Sequence, residues 1–241
     1  MKQRLDKLML MRGIVGSRSE AENWIRLGRV LVGGRTASKP GVFVDKSAEI
    51  KLTAAERYVS RAGLKLASVA KALDLNFRSK VVLDVGSSTG GFTDYALQHG
   101  ARKVYAVDVG TDQLHPSLRG DSRIELHEKT DIREFVPSET PDIVVIDVSF
   151  ISLRQILPHV AKIVDKNTTI AAMVKPQFET TRGQITRGGI VKNDGVRRTI
   201  LREFEQWVRA SFMIINKADS EVKGAHGNLE RFYKLSKIGE S

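Results

Sequence analysis

The chain has 241 residues, 41% of them hydrophobic, with 39 Lys and Arg against 28 Asp and Glu and a formal net charge of +11. That length suits one large domain or a medium one with a small appendage, and the apolar content excludes a disordered tail. No cysteine is present, so disulfides, thiolate metal sites and a cysteine nucleophile are excluded. No apolar run approaches the ~18 residues of a spanning helix, and the N-terminus has no signal-peptide pattern. The charge points to a polyanion, RNA or DNA, with an anionic membrane as the plainer competitor; a cytoplasmic location is expected.

Residues 1–57 read as a separate unit and carry +6 of the +11. Leu5, Leu8 and Met9 give helical spacing from Arg4 to Met11. Ser17-x-x-Glu20 is a capping-box signature opening a second helix through about Leu27, which Gly28 stops. Val30–Val32, Val42–Val44 and Glu49–Leu52 read as short strands separated by turns, the first ending at Gly33-Gly34. The stretch from Ser17 to Gly34 resembles the small α+β RNA-binding module called the S-four-type or alpha-L fold. That resemblance implies phosphate contacts by Arg4, Arg18, Arg26, Arg29, Arg35 and Lys39; the plainer alternative is a solvated charged face on an adaptor. Lys51–Arg57 reads as a linker.

From Tyr58 onward helix and strand alternate. Tyr58–Leu73 reads as a helix, 80–85 as a strand, 91–99 as a helix, 103–108 as a strand and Ile124–Glu128 as a weak strand. Pro141–Asp147 reads as a strand, 152–164 as a helix, Thr168–Lys175 as a strand and Asp194–Ala210 as a helix; Phe212–Ala218 and Arg231–Lys237 close the sheet. Nearly continuous apolar strands in such an alternation predict an α/β fold, a Rossmann-like parallel sandwich with an antiparallel edge at its end.

Val81 to Thr93 is the richest stretch: a buried strand running into a glycine-rich turn and a helix. A second strand ends in Asp108, 22 positions after Gly86. That spacing places a nucleoside at the carboxyl edge of the sheet, with Asp108 taking its ribose hydroxyls. A dinucleotide fingerprint needs a middle glycine where Ser88 stands. Asp84 would repel a pyrophosphate yet suits an ammonium and a sulfonium. Both features favour S-adenosylmethionine, against the alternative of an ordinary strand–helix turn. The candidate cofactor residues are Asp84, Gly86, Ser87, Ser88, Thr89, Gly90, Gly91, Phe92, Asp108, Val109, Asp131 and Asp147. Asp131 can reach the adenine amine or cap a helix at Ile132.

Asp147 ends an otherwise apolar strand, and Lys175 ends the next one; a structural ion pair between them is the plainer alternative to a catalytic role. Asp147-Val148-Ser149-Phe150 lacks the Asn/Asp-Pro-Pro-aromatic motif of exocyclic-amine methylation, and carbon-5 methylation of pyrimidines uses a cysteine. Methyl transfer to oxygen or another heteroatom remains. Lys65, on its helix, would by itself be read as solvated. No cluster with metal-ligand spacing is seen, so no metal is expected. Phe178–Arg198, basic and punctuated by glycines, reads as a substrate-side loop carrying Arg182 and Arg187 as RNA contacts, with a plain connection as its alternative; Arg61 is a further RNA candidate.

Taken together, Tyr58–Leu66, Asp84–Thr93, Asp147–Leu153, Val174–Glu179 and Lys223–Glu230 resemble the TlyA family in the right order over nearly the whole chain. The resemblance implies an RNA-binding module joined to an FtsJ-like methyltransferase, often labelled a hemolysin, that methylates ribose 2′-hydroxyls of cytidine in ribosomal RNA. The family's Lys–Asp–Lys–Glu tetrad falls on Lys65, Asp147, Lys175 and Glu230. In that scheme Lys175 takes the hydroxyl proton. Lysine is a base only as the free amine, which burial and the Lys65 cation favour, while Asp147 favours the ammonium and so orients Lys175. Glu230 would hold Lys65 or the ribose. Two competing functions follow, a non-catalytic ribosome-assembly factor and a cytolysin.

Overall fold

In the computed structural model the described residues are 2–15, 18–26, 28–52, 58–180, 182–186, 189–191, 193–224 and 227–239. The chain forms two compact units, Met1–Arg57 and Tyr58–Ser241. In the first, β1 (Lys2–Arg4) leads into α1 (Leu5–Met11) and α2 (Arg18–Arg26), followed by β2 (Val30–Val32), β3 (Arg35–Ala37), β4 (Phe43–Asp45) and β5 (Ile50–Leu52). β1 pairs with β4, and β2 pairs antiparallel with both β3 and β5. Gly33 and Gly34 supply the positive φ of a two-residue hairpin turn. Leu5, Leu8 and Met9 of α1 are buried with Ala21, Ile25, Val30 and Val44, as helical spacing predicts. Two strands were not anticipated, β1 and β3. Neither Lys2-Gln3-Arg4 nor Arg35-Thr36-Ala37 holds a large apolar residue, so both lack the signal that marks the equally short Val30-Leu31-Val32, and pairing partners define them. Ser17 and Leu27, the expected ends of α2, lie outside the described residues.

The second unit contains α3 (Arg61–Ala70), β6 (Val81–Val85), α4 (Gly91–Gln98), β7 (Lys103–Val107), β8 (Ile124–His127), β9 (Ile143–Ile146), α5 (Leu153–Ile163) and β10 (Thr169–Val174). It ends with α6 (Asp194–Val208), β11 (Phe212–Asp219) and β12 (Arg231–Lys237). The sheet order is β11-β12-β10-β9-β6-β7-β8. β10 through β8 are parallel and β12 and β11 antiparallel, the expected edge. Successive residues of each strand enter opposite cores. Val144 and Ile146 pack with Leu157 of α5 and Phe204 of α6. Ile143 and Val145 pack with Leu66 of α3 and Phe92 of α4. Burial on both faces explains why these strands read as apolar runs instead of alternating ones.

The helix expected from Tyr58 begins only at Arg61. Ser60 is extended at φ −158°, and the Val59 amide donates to the Asp94 carboxylate at 2.7 Å. Asp131 starts a turn rather than a helix: its carboxylate accepts from the Arg133 amide at 2.9 Å. No helix among the described residues is long and apolar enough to cross a membrane.

Candidate active site

Strand order reverses between β6 and β9, and the crevice outside their carboxyl ends is where such sheets bind ligands. Gly86 leaves β6 with φ +80°. A Cβ there would lie 2.7 Å from the Asp147 carbonyl, so only glycine lets the two strand ends close together. A cavity of about 580 Å³ opens from this point, lined by Gly86, Ser88, Asp108, Val109, Asp131 and Asp147 among others. A smaller one of about 150 Å³ continues past Asp84, Ser87, Thr89 and Phe92 to Lys175. Together they are of the size of a nucleoside-containing ligand site.

Asp84 is 1% exposed. Its Oδ2 accepts from the Thr93 hydroxyl at 2.7 Å, while Oδ1, like the buried Ser87 hydroxyl, has no hydrogen-bond partner in the described protein. Burial pushes the Asp84 carboxyl up to about 7, because little compensates an ionised carboxylate there. An ammonium-bearing ligand would supply what is missing. Asp108 accepts from the Ser88 amide at 2.8 Å and the Gly110 amide at 2.7 Å. Each of its oxygens keeps a lone pair for a ribose hydroxyl. Asp131 lines the cavity with both oxygens accepting from the Arg133 guanidinium. These residues fit S-adenosylmethionine.

Not every expected cofactor residue faces a cavity. Gly90, at φ +88°, is crowded by Leu114 and Leu118, and Gly91 is crowded by Ser60, Ala62 and Gly63. Their lack of a side chain serves packing, and neither lines the cavities described here. Phe92, by contrast, does line the smaller cavity, although it is 2% exposed and packs its ring 5.9 Å from Phe232. Gln113 was missed by sequence reasoning. It lines the larger cavity and accepts from the Ser88 hydroxyl at 3.1 Å; nothing in its local sequence separates it from a loop residue.

Beside the cofactor cavities lies another of about 380 Å³, bounded by Lys65, Ser149, Phe150, Lys175, Asn228 and Glu230. Lys175 Nζ is 2.5 Å from Asp147 Oδ1 and donates to Ser149 Oγ at 2.7 Å. Lys65 Nζ is 2.6 Å from Glu230 Oε2, and both side chains are buried. β12 runs antiparallel to β10 with Arg231 opposite Val174, which brings the start of β12, and so Glu230, to the carboxyl edge near Lys175. Glu179 accepts from the Ser152 hydroxyl at 2.6 Å and the Leu153 amide at 2.7 Å. It thereby ties the segment after β10 to the start of α5. Phe150 is 92% exposed at φ +64°, a conformation a bulky residue adopts rarely and mostly at functional sites.

The candidate RNA contacts divide. Arg29, Arg35 and Lys39 are exposed, the last two lining a groove of about 280 Å³. Arg4 and Arg18 each pair with the fully buried Asp6 at 2.8 Å, so both have an internal partner. Hydrogen bonds from the Arg4 and then the Arg18 guanidinium hold the Asp6 carboxyl far below its usual range. Arg61 donates to the Lys223 carbonyl at 2.6 Å. Arg187 and the side chains of Arg26 and Arg182 lie outside the described residues.

Residues 58–237 match the FtsJ-like methyltransferase family, and residues 3–50 match the S4 domain. The chain belongs to the FtsJ-like methyltransferase family. Among its relatives, hemolysin A of Brachyspira hyodysenteriae is 38% identical, over 94% of this chain and 97% of that one. The 16S/23S rRNA (cytidine-2′-O)-methyltransferase TlyA of Mycobacterium tuberculosis is 37% identical, over 96% and 89%. A solved structure of a candidate hemolysin from Streptococcus thermophilus superposes with a TM-score of 0.79 at 39% identity, over 99% of this chain and 90% of that one. As an FtsJ-like methyltransferase preceded by an S4 domain, the chain is an enzyme with an appended RNA-binding module.

Proposed function

We propose that this protein methylates ribose 2′-hydroxyls of cytidine in ribosomal RNA, using S-adenosylmethionine, and works where ribosomes are made, in the cytoplasm. The observation that carries the reading is the pair of buried Lys–carboxylate contacts, Lys175–Asp147 and Lys65–Glu230, flanking one cavity beside the cofactor crevice. The relative from Mycobacterium tuberculosis, named for cytidine-2′-O methylation of 16S and 23S rRNA, supports the substrate.

When bound, S-adenosylmethionine supplies a methyl group activated by its sulfonium. Asp84 and Ser87 would hold its amino-acid end, Asp108 its ribose and Asp131 its adenine. A ribose 2′-hydroxyl is a weak nucleophile, so Lys175 serves as the base that removes its proton. Asp147 and Ser149 fix the direction of the Lys175 amine, and Glu230 fixes Lys65 in the lining of the same cavity. Holding the hydroxyl in line is the larger share of the catalysis. The exposed ring of Phe150, between the two cavities, offers a face on which an unstacked base can rest.

The test is methyl transfer from labelled S-adenosylmethionine to ribosomal subunits that lack the modification, followed by alkaline hydrolysis. A 2′-O-methyl group protects its own phosphodiester, so label is expected in an alkali-resistant dinucleotide. Lys175→Ala is expected to lower the rate by about 100-fold or more, the usual worth of a general base, with cofactor and RNA affinity kept. Tight RNA and cofactor binding without transfer to either subunit would replace this reading with an assembly factor.

A further inference from the structure

Asn228 stands two residues before Glu230 and is 5% exposed. Its side chain makes a matched pair of backbone bonds. Nδ2 donates to the Gly189 carbonyl at 2.9 Å, and Oδ1 accepts from the Val191 amide at 3.0 Å. A carboxamide carries one donor end and one acceptor end, the complement of a peptide group, so Asn228 satisfies the segment as a neighbouring strand would. Aspartate could only accept, and leucine could do neither.

The segment held in this way is part of the site. Ile185 bridges Val191, and the Thr186 amide donates to the Ile190 carbonyl at 2.8 Å. Ile185 and Gly189 line the cavity that Lys65, Lys175 and Glu230 also line. The backbone of Asn228 is fixed too, since its carbonyl accepts from the Gly224 amide at 2.9 Å. Gly224 is pressed against the Glu230 carboxylate: a Cβ there would lie 2.7 Å from Glu230 Oε1. One residue therefore joins the wall at Ile185 and Gly189 to the turn that carries Glu230.

We infer that Asn228 is a positioning residue, which sets the wall formed by Ile185 and Gly189 against the Lys65–Glu230 pair and so fixes the width of the acceptor cavity before RNA enters. This rests on the reading that the cavity of about 380 Å³ takes the acceptor nucleoside.

The test compares full-length wild type with Asn228→Ala and Asn228→Asp in three measurements: transfer kinetics on ribosomal subunits, cofactor affinity, and amide hydrogen exchange at Val191. For Asn228→Ala we expect KM for RNA to rise about tenfold, the scale of two lost hydrogen bonds, with a smaller change in kcat. Cofactor affinity and Tm should stay close to wild type, and Val191 exchange should quicken. Asn228→Asp keeps the acceptor for Val191 and should fall between the two. An unchanged KM with faster exchange would overturn the inference, because the wall would then not bound the acceptor. Unchanged exchange would overturn it as well, and so would a parallel loss of Tm and cofactor affinity, the mark of general support of the fold. No transfer by wild type would sink the methyltransferase reading itself, leaving the exchange result to judge the contacts of Asn228.

Discussion

Asp84 carries opposite demands of stability and function. Its carboxyl, raised by burial to about 7, stays protonated in the folded chain over a range where the unfolded chain, near 3.8, has lost the proton. Stability therefore falls as pH rises from about 4 and stops falling above about 7, a loss on the order of 4 kcal/mol. Asp84→Asn should raise the stability of the ligand-free protein, more at pH 8 than at pH 5, in parallel denaturant titrations. The same substitution should weaken S-adenosylmethionine binding, because in the proposed function the ionised carboxylate faces the ammonium. Wild-type affinity should in turn weaken as pH falls below about 7, with a flat profile in Asp84→Asn, measurable by calorimetry. Asp84 was legible from sequence because an acid at the end of an apolar strand needs a reason. Ser149 and Asn228 were not, since a serine and an asparagine in loops have many ordinary uses.

Between elements, the decisive contact is α3 against α4. A Cβ on Gly91 would fall 2.2 Å from the Ser60 hydroxyl and 2.8 Å from the Ala62 Cβ, and one on Gly63 would fall 2.5 Å from the Tyr58 Cβ. Gly91→Ala must push the helices apart, which carries Lys65 away from Glu230 at the other side of α3. A destabilisation of roughly 1–3 kcal/mol is expected from such overpacking, seen as a Tm drop of several degrees, together with loss of transfer activity. The sequence places Gly91 in the cofactor loop, and the structure gives its missing side chain a packing reason as well. That reason needs the partner helix, which lies some 30 residues earlier in the chain and has no signature at Gly91 itself. The strands β6, β9 and β10 were legible because burial on both faces makes them uniformly apolar. β1 and β3 were not, because Lys2-Gln3-Arg4 and Arg35-Thr36-Ala37 carry no large apolar residue and only their partners make them strands.

At the scale of the molecule, the first 57 residues hold +6 of the net charge of +11 and their own apolar core around Leu5, Met9 and Ile25. The second unit has two cores of its own, one on each face of the sheet. Residues 58–241 alone should therefore fold and bind S-adenosylmethionine with near-native affinity. Their RNA affinity should fall by about tenfold or more, and its dependence on salt should become shallower, by about 0.7–0.9 in log–log slope for each phosphate contact removed. Filter binding at several salt concentrations measures both. An unchanged slope would mean that Arg29, Arg35 and Lys39 face no phosphate.

The sequence by itself determined the alternation of strands and helices, the glycine turn after β6, the acids at the ends of β6, β7 and β9, and the lysine at the end of β10. Each of these is written locally, as a run of apolar residues broken by a residue that apolar surroundings do not tolerate without cause. Tertiary structure alone decided which of them meet. Glu230 reaches Lys65 because β12 is antiparallel and registered with Arg231 opposite Val174. Lys65, which its own helix gives no reason to bury, is held by that carboxylate. Asn228 joins segments nearly 40 residues apart, and Arg4 and Arg18 converge on the buried Asp6. A buried charge or amide is stable only when its complement arrives from elsewhere in the chain, and the arrival is a property of sheet order and register, which no local stretch of sequence records.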